Sequence, residues 1–267
     1  WRNTSAGQAI VPQVLARHWG LPAMGPDKTA AEGAFDQPYE FPNARVAHEI
    51  VALPLQVGFW RAVGHSHQAF FKEGFLDEVA AAAGADPVAF RAALLERHPR
   101  HLAVLQRAAA IAGWDRPLPA SDDGRQRGRG VALHQSFGAI VAQVAQVSVG
   151  EDKTIRVEKV WCAVDCGFPV NPNVIRQQID SAIVYGLSAA LHGEITVENG
   201  QVQQSNFHDY PALRIDECPV IETEILAHGD HPEGIGEPGL PPIAPAVANA
   251  VFAATGQRLR KLPLKLA

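Results

Sequence analysis

Gly234-Ile235-Gly236-Glu237-Pro238-Gly239-Leu240-Pro241-Pro242 is the stretch from which the rest of this chain can be read. Its glycines and prolines restrict the backbone around a single ionisable group, Glu237, set between apolar Ile235 and Leu240. A carboxylate in such a place is expected to have its pKa raised by desolvation, which suits a general base near neutral pH. On spacing alone, a surface glutamate in a Gly-Pro turn is the commoner use of this pattern. The alanine-rich run that follows, 245–255, reads as a helix ended by Gly256.

Upstream, the pattern alternates between strand and helix signals. Residues 1–60 place turn formers (Pro22, Pro26, Pro38, Pro42, Pro54) between short alternating segments and one brief helical candidate. From Ser66, read as an N-cap, Phe71, Phe75, Leu76 and Val79 recur at helical spacing up to Gly84. Asp86-Pro87 caps a second helix with Phe90, Leu94 and Leu95 on one face, and a third runs from about 100 to 112. Val131–Val149 and Ile155–Val164 are rich in β-branched residues and meet at Gly150-Glu151-Asp152-Lys153, a hairpin turn. Asn171-Pro172 opens a helix to about Leu191, Asn199-Gly200 turns a strand pair, and Val220–Ala227 is a further strand. The fold class is α+β. Two mixed lobes are expected, 1–114 and 130–267, divided by the polar, proline- and glycine-rich segment 115–129.

Composition narrows the function. The 267 residues are 47% hydrophobic and 19% charged, enough to bury a sizeable core. The net charge is −5, and no lysine- and arginine-rich run could track phosphates, so nucleic acid is a poor partner. Leu240–Ala254 is the longest apolar stretch, but three prolines interrupt it and it is shorter than the roughly 20 residues of a spanning helix. Cys162, Cys166 and Cys218 are too few and wrongly spaced to ligate an iron-sulfur cluster; the first two read as strand residues, at least one of them buried. A chain starting at Trp1 reads as a fragment, a processed chain or one piece of a split subunit. Its compartment is left open between bacterial cytoplasm and periplasm.

Residues 236–251, Gly-Glu-Pro-Gly-Leu-Pro-Pro-Ile-Ala-Pro-Ala-Val-Ala-Asn-Ala-Val, resemble the C-terminal signature of the xanthine oxidase family of molybdenum hydroxylases. Four other segments resemble the same family in the same order: Gly58–His67, Asp86–Arg91, Asp165–Pro172 and Gln178–Gly186. Together they span almost the whole chain. Trp60-Arg-Ala-Val-Gly-His-Ser-His67, His134-Gln-Ser-Phe-Gly138, Val-Ala-Gln-Val-Ala-Gln-Val (141–147) and Gln204–Tyr210 resemble more narrowly the isoquinoline 1-oxidoreductase β-subunit group.

The resemblance implies the C-terminal part of a large subunit that hydroxylates an N-heteroaromatic or aldehyde carbon with oxygen from water, Glu237 being the base. The implied cofactor is molybdopterin, as its cytosine dinucleotide, held by its own dithiolene with no protein side chain on the metal. Trp60, Arg61, Ala62, Val63, Gly64 and His65, with Gly236, are the implied cofactor contacts: a glycine permits close backbone approach and a guanidinium forks onto a phosphate or carbonyl oxygen. The implied partners are the N-terminal portion of the same large chain, a [2Fe-2S] small subunit, a cytochrome c electron acceptor and a small-molecule substrate. This chain departs from the pattern in two ways. Gln-Ile-Asp-Ser-Ala (178–182) stands where Gln-Ile-Glu-Gly-Gly is usual, and the glycine-rich Gly-Gly-Gly-Phe-Gly-Arg loop has no match. The isolated chain is therefore expected to lack cofactor and activity.

The competing readings are a non-catalytic domain without cofactor and a zinc hydrolase. Zinc would call on His65 with His67, or His228 and His231 with Glu233, none at His-Glu-x-x-His spacing. His208-Asp209-Tyr210 reads as a structural histidine before a substrate-pocket one. Gly128-Arg129-Gly130 lacks the third glycine of a dinucleotide fingerprint.

Overall fold

A computed structural model describes residues 1–20, 27–119, 121 and 123–267. Pro22 and Pro26, expected as turn formers, and Ala120 and Asp122 of the expected linker lie outside the described residues. The elements are β1 (Arg2–Gly7), α1 (Val11–Trp19), a 3-10 turn (Thr29–Ala31), β2 (Arg45–Ile50), α2 (Val63–Ala82), α3 (Pro87–Ala93), α4 (Pro99–Ile111), β3 (Gln126–Ser136), β4 (Ala139–Val149), β5 (Ile155–Asp165), α5 (Pro172–Leu191), β6 (Val197–Glu198), β7 (Gln201–Val202), β8 (Val220–Leu226) and α6 (Ile243–Thr255). This is the α+β mixture expected.

The main sheet runs in the order β3-β4-β5-β8, antiparallel except for the β5·β8 pair. β3 and β4 are buried on both faces. Val131, Leu133, Ile140, Ala142 and Val144 pack with Leu95, Val104 and Leu105 on one side. Ala132, Val141, Val147, Val160 and Cys162 pack with Ile179, Ile183, Ile243 and Val247 on the other. That double cover explains why β4 reads as a continuous apolar run rather than an alternating one. Val131–Val149, read as one run, is two strands folded back at Phe137 and Gly138, whose φ angles of 51° and 83° make a two-residue hairpin. A phenylalanine there carries no turn signal. Gly128 and Gly130 let α6 lie directly on β3: a Cβ at Gly130 would stand 2.2 Å from the Ala250 nitrogen and 2.3 Å from the Ala246 oxygen.

Gln126–Arg129, expected as the end of the linker, are the first residues of β3. Arg129 reaches back to the carbonyls of Ala112 (2.8 Å), Gly113 (2.6 Å), Trp114 (3.2 Å) and Arg116, supplying donors to the bare C-terminal end of α4. The helices before this segment and the sheet after it share one core.

α2 differs most from expectation. It starts at Val63 with Ala62 at the N-cap, and Ser66 instead donates its hydroxyl to the Val63 carbonyl at 2.7 Å. Phe71 and Phe75, expected on the inner face, are 48% and 49% exposed. The inner face carries His65, Gln68, Lys72, Glu73 and Asp77 beside Ala69 and Leu76. Burial of these groups is offset by partners: Arg91 Nε donates to Glu73 Oε2 at 2.8 Å, Arg258 to Asp77 Oδ2 at 2.6 Å, and Lys72 Nζ lies 3.1 Å from His134 Nδ1.

Candidate functional site

The loop 232–240 crosses the end of the sheet, tied to it at successive points. Gly167 bridges Pro232, and the Glu233 and Gly234 amides donate to the carbonyls of Cys166 (2.9 Å) and Phe137 (3.0 Å). From inside, Gln143 Nε2 donates to the Gly239 carbonyl at 2.7 Å. The Leu240 amide closes a turn on the Glu237 carbonyl at 3.0 Å. Glu237, half-buried, is thereby held on a backbone with little freedom.

Against it lies the turn that starts α2. Ala62 and Val63 have φ angles of 73° and 45°, the left-handed region that a β-branched residue rarely enters. The Val63 amide donates to the Trp60 carbonyl at 2.8 Å, and the Ala62 amide to Glu237 Oε1 at 3.1 Å. Arg61 is the brace between them. Its Nε donates to the Gly236 carbonyl at 2.8 Å, as does Nη2; Nη1 reaches Ser181 Oγ at 3.1 Å, and Nη2 reaches Gln178. The guanidinium thus forks onto a backbone carbonyl of this chain. Trp60, 41% exposed, packs against Tyr185 of α5 at 5.2 Å between ring centroids. Ala62, Ala182 and Leu240 form a small buried cluster beneath the junction.

The structure therefore brings Trp60, Arg61, Ala62, Val63, Gly236 and Glu237 to one place. Gly64 and His65 follow in the same helix turn but face inward. A Cβ on Gly64 would stand 2.1 Å from the Thr29 carbonyl oxygen, so its close approach serves this chain's own 3-10 turn. His65 Nδ1 lies 2.9 Å from His134 Nε2 in the interior, and burial brings its pKa down to about 4. Gly236 is exposed, and a Cβ there would meet nothing within 4 Å.

Sequence reading did not single out Gln178, Ser181, Gln143 or Glu32. The first two lie on a stretch quoted for its resemblance to the family and for its departure at 178–182, with no role given to either side chain, and Gln143 is a polar residue inside an apolar strand. Glu32 is half-buried, and its carboxyl is raised above the ordinary range by burial and then by the negative charges of Asp36, Asp27 and Glu237. It is a second carboxylate near the first.

Among the described residues there is no group of three His, Cys, Asp or Glu side chains fit to hold a metal ion. His67 bonds the Ala30 carbonyl at 2.8 Å, and His228 and Arg100 both pair with buried Asp165. His208 is largely exposed beside Asp209. Cys162 and Cys166 are both buried, Cys162 on β5 and Cys166 just past its end. No helix among the described residues is long and apolar enough to cross a membrane.

Residues 100–219 match a family model described as a molybdopterin cofactor-binding domain. The chain is 36% identical over 228 residues to the beta subunit of isoquinoline 1-oxidoreductase from Brevundimonas diminuta, a match covering 85% of this chain and 29% of the relative. It is 33% identical over 241 residues to one chain of the nicotinate dehydrogenase of Pseudomonas putida, covering 85% of this chain and 20% of the relative. It thus spans less than a third of the length of either. Its fold matches the aldehyde oxidoreductase of Desulfovibrio desulfuricans with a TM-score of 0.75 at 14% identity, over 98% of this chain and 45% of the other. With both relatives at least 33% identical over 85% of this chain, the chain belongs to the molybdopterin-binding large subunits of the xanthine oxidase family of molybdenum hydroxylases.

Proposed function

We propose that the chain is the C-terminal part of an oxidoreductase that hydroxylates an electron-poor carbon of an N-heteroaromatic or aldehyde substrate with oxygen from water, and that Glu237 is its general base. The observation that carries this reading is the junction of Glu237 with the Trp60–Val63 turn, where the Ala62 amide occupies Oε1 and leaves Oε2 to accept a proton. A base must be held at a fixed distance from the proton it takes, and here the Ala62 amide holds the carboxylate while Arg61 holds the preceding peptide at Gly236.

The residues present fit a molybdopterin cofactor, which in this reading is the cytosine dinucleotide. The part-exposed backbone at Val63, an indole face at Trp60 and open space at Gly236 together offer a surface that a flat, polar, anionic group can approach closely. Trp60, Val63 and Gly236 would hold it; Ala62, expected among the contacts, is fully buried with its amide on Glu237, and with Arg61 it would keep the two loops together, while Gly64 and His65 would support the turn from inside. When bound, the molybdenum centre supplies Lewis acidity and a two-electron acceptor. This chain's own step is at Glu237 Oε2, which takes the proton released as the water-derived oxygen attacks carbon.

In the same reading, the working enzyme needs the N-terminal portion of the large chain, a [2Fe-2S] subunit and a cytochrome c acceptor, and the isolated chain is inactive. The test is Glu237→Gln in the complete enzyme. Turnover should fall roughly 10²- to 10⁴-fold with molybdenum content retained. Full molybdenum content with turnover within about threefold of wild type would remove Glu237 from the role.

A further inference from the structure

Arg61 has a planar guanidinium whose donors point in fixed directions, so wherever one edge is held, the other is aimed. One edge meets the carbonyl of Gly236, the residue directly before Glu237. The other is held by α5: Nη1 donates to Ser181 Oγ at 3.1 Å, and Nη2 to Gln178 Oε1 at 3.3 Å and the Gln178 carbonyl at 3.4 Å. Tyr185, one turn further along, lies under the same guanidinium at 5.9 Å.

α5 is a suitable frame for this task. Asn171 caps its N-terminus by accepting from the Asn173 and Val174 amides, and Ile175, Ile179, Ile183 and Leu187 anchor its inner face in the core. Ser181 and Gln178 therefore sit on a helix that cannot easily shift, while the loop they restrain has no regular structure of its own. Freed from Ser181, the guanidinium would keep its bonds to Gly236 and Gln178 but lose one of its two anchors on α5. The Gly236–Glu237 peptide would then be less tightly aimed between the ties on either side of it.

We propose that Ser181 is a positioning residue for Glu237: through Arg61 it fixes the Gly236 carbonyl and with it the direction in which the carboxylate points. Gln178 is the second anchor of the same brace. The inference rests on the reading of Glu237 as the base, and it adds that the aim of the base is set from α5 by side chains that touch neither the proton nor the substrate.

The test uses the complete enzyme with its partners and cofactor. Ser181 is exposed on its helix, so Ser181→Ala should fold as wild type does. Turnover should fall about three- to tenfold, with KM within about twofold, and with molybdenum content and Tm unchanged. Ser181→Thr, which restores the hydroxyl, should recover turnover. On an Arg61→Lys background, Ser181→Ala should add little, because the brace is already broken. A Ser181→Ala enzyme with wild-type turnover would overturn the proposal, and so would additive losses in the cycle or loss of molybdenum in parallel with activity. If Glu237→Gln is inactive while Ser181→Ala is normal, only the positioning role fails. If Glu237→Gln is normal, the reading beneath it fails.

Discussion

Glu237 Oε1 accepts the Ala62 amide at 3.1 Å across 175 residues of chain, so the carboxylate that carries the proposed chemistry is also what joins the loop to the start of α2. Glutamine and alanine separate these two roles. Glu237→Gln keeps an oxygen for the amide and should leave Tm nearly unchanged. Glu237→Ala leaves a part-buried donor without its acceptor, at a cost of about 1–3 kcal/mol. Thermal unfolding should therefore place Glu237→Ala about 2–10 °C below Glu237→Gln, with both inactive in the complete enzyme. Equal Tm values would show that the amide finds another acceptor.

Gly64→Ala should damage the site without touching it. The added Cβ would overlap backbone atoms, the Thr29 oxygen at 2.1 Å and the Glu32 nitrogen at 2.9 Å, which cannot rotate away as a side chain could. Relief requires the strained Ala62–Val63 turn or the 3-10 turn to move. A loss of at least about 1–3 kcal/mol is expected, typical of overpacking. Denaturant unfolding of Gly64→Ala with wild-type midpoint and slope would show that the contact relaxes freely.

The parts of this molecule that local backbone chemistry writes were legible in the sequence. Glu237 stood out because glycines and prolines surround it, Asp86 and Asn171 cap helices as read, and Asn199-Gly200 turns its strand pair. What failed was whatever depends on partners distant in sequence. α2 reads as an amphipathic helix with Phe71 and Phe75 inside, but its polar face is satisfied by His134, Arg91 and Arg258, and their proximity no periodicity can reveal. Likewise Asp27 accepts the Val11 amide at 3.1 Å at the start of α1, sixteen residues upstream, outside any local capping pattern. Ser181 matters only because Arg61 is 120 residues away and points at it.

Acid should unfold the protein through its buried histidines. Burial, first of all, brings the pKa values of His65 and His101 down to about 4; nearby Lys72 adds to this in both, while Asp36 opposes it at His65 and the Gln135 hydrogen bond opposes it at His101. His134, fully buried, is also held well below the ordinary imidazole value, by burial first and then by the charges of Lys72 and His65. These groups are neutral in the folded state and take up protons more readily when unfolded. Their contribution is complete above about pH 6.5, the unfolded value, and is lost as pH falls toward 4. Stability should drop by several kcal/mol in all over that window, on the order of one pKa unit to 1.4 kcal/mol for each group. His134→Gln should flatten the profile measured by urea unfolding between pH 7 and 4.5; an unchanged slope would place the acid sensitivity elsewhere.

The last prediction concerns the charge at the centre of the inner face of α2. Arg91 and Glu73 are both fully buried, with Arg91 Nε on Glu73 Oε2 at 2.8 Å and Arg91 Nη2 on the Glu73 carbonyl at 2.8 Å. Glu73 Oε2 also accepts the Leu133 amide at 3.1 Å, which ties α2 to β3. Desolvating both charges costs about as much as their attraction returns, so the pair as a whole adds little to stability, whereas one charge left alone is expensive. Arg91→Met should therefore cost about 3–5 kcal/mol, since it leaves Glu73 and nearby Asp77 with less compensation. Adding Glu73→Gln should recover a large part of that loss, because glutamine keeps an oxygen for the Leu133 amide without the charge. The double-mutant cycle should then show a coupling of more than about 1 kcal/mol by chemical denaturation. Additive losses from the two substitutions would mean that each residue stabilises α2 by packing alone and that the ion pair has no part in it.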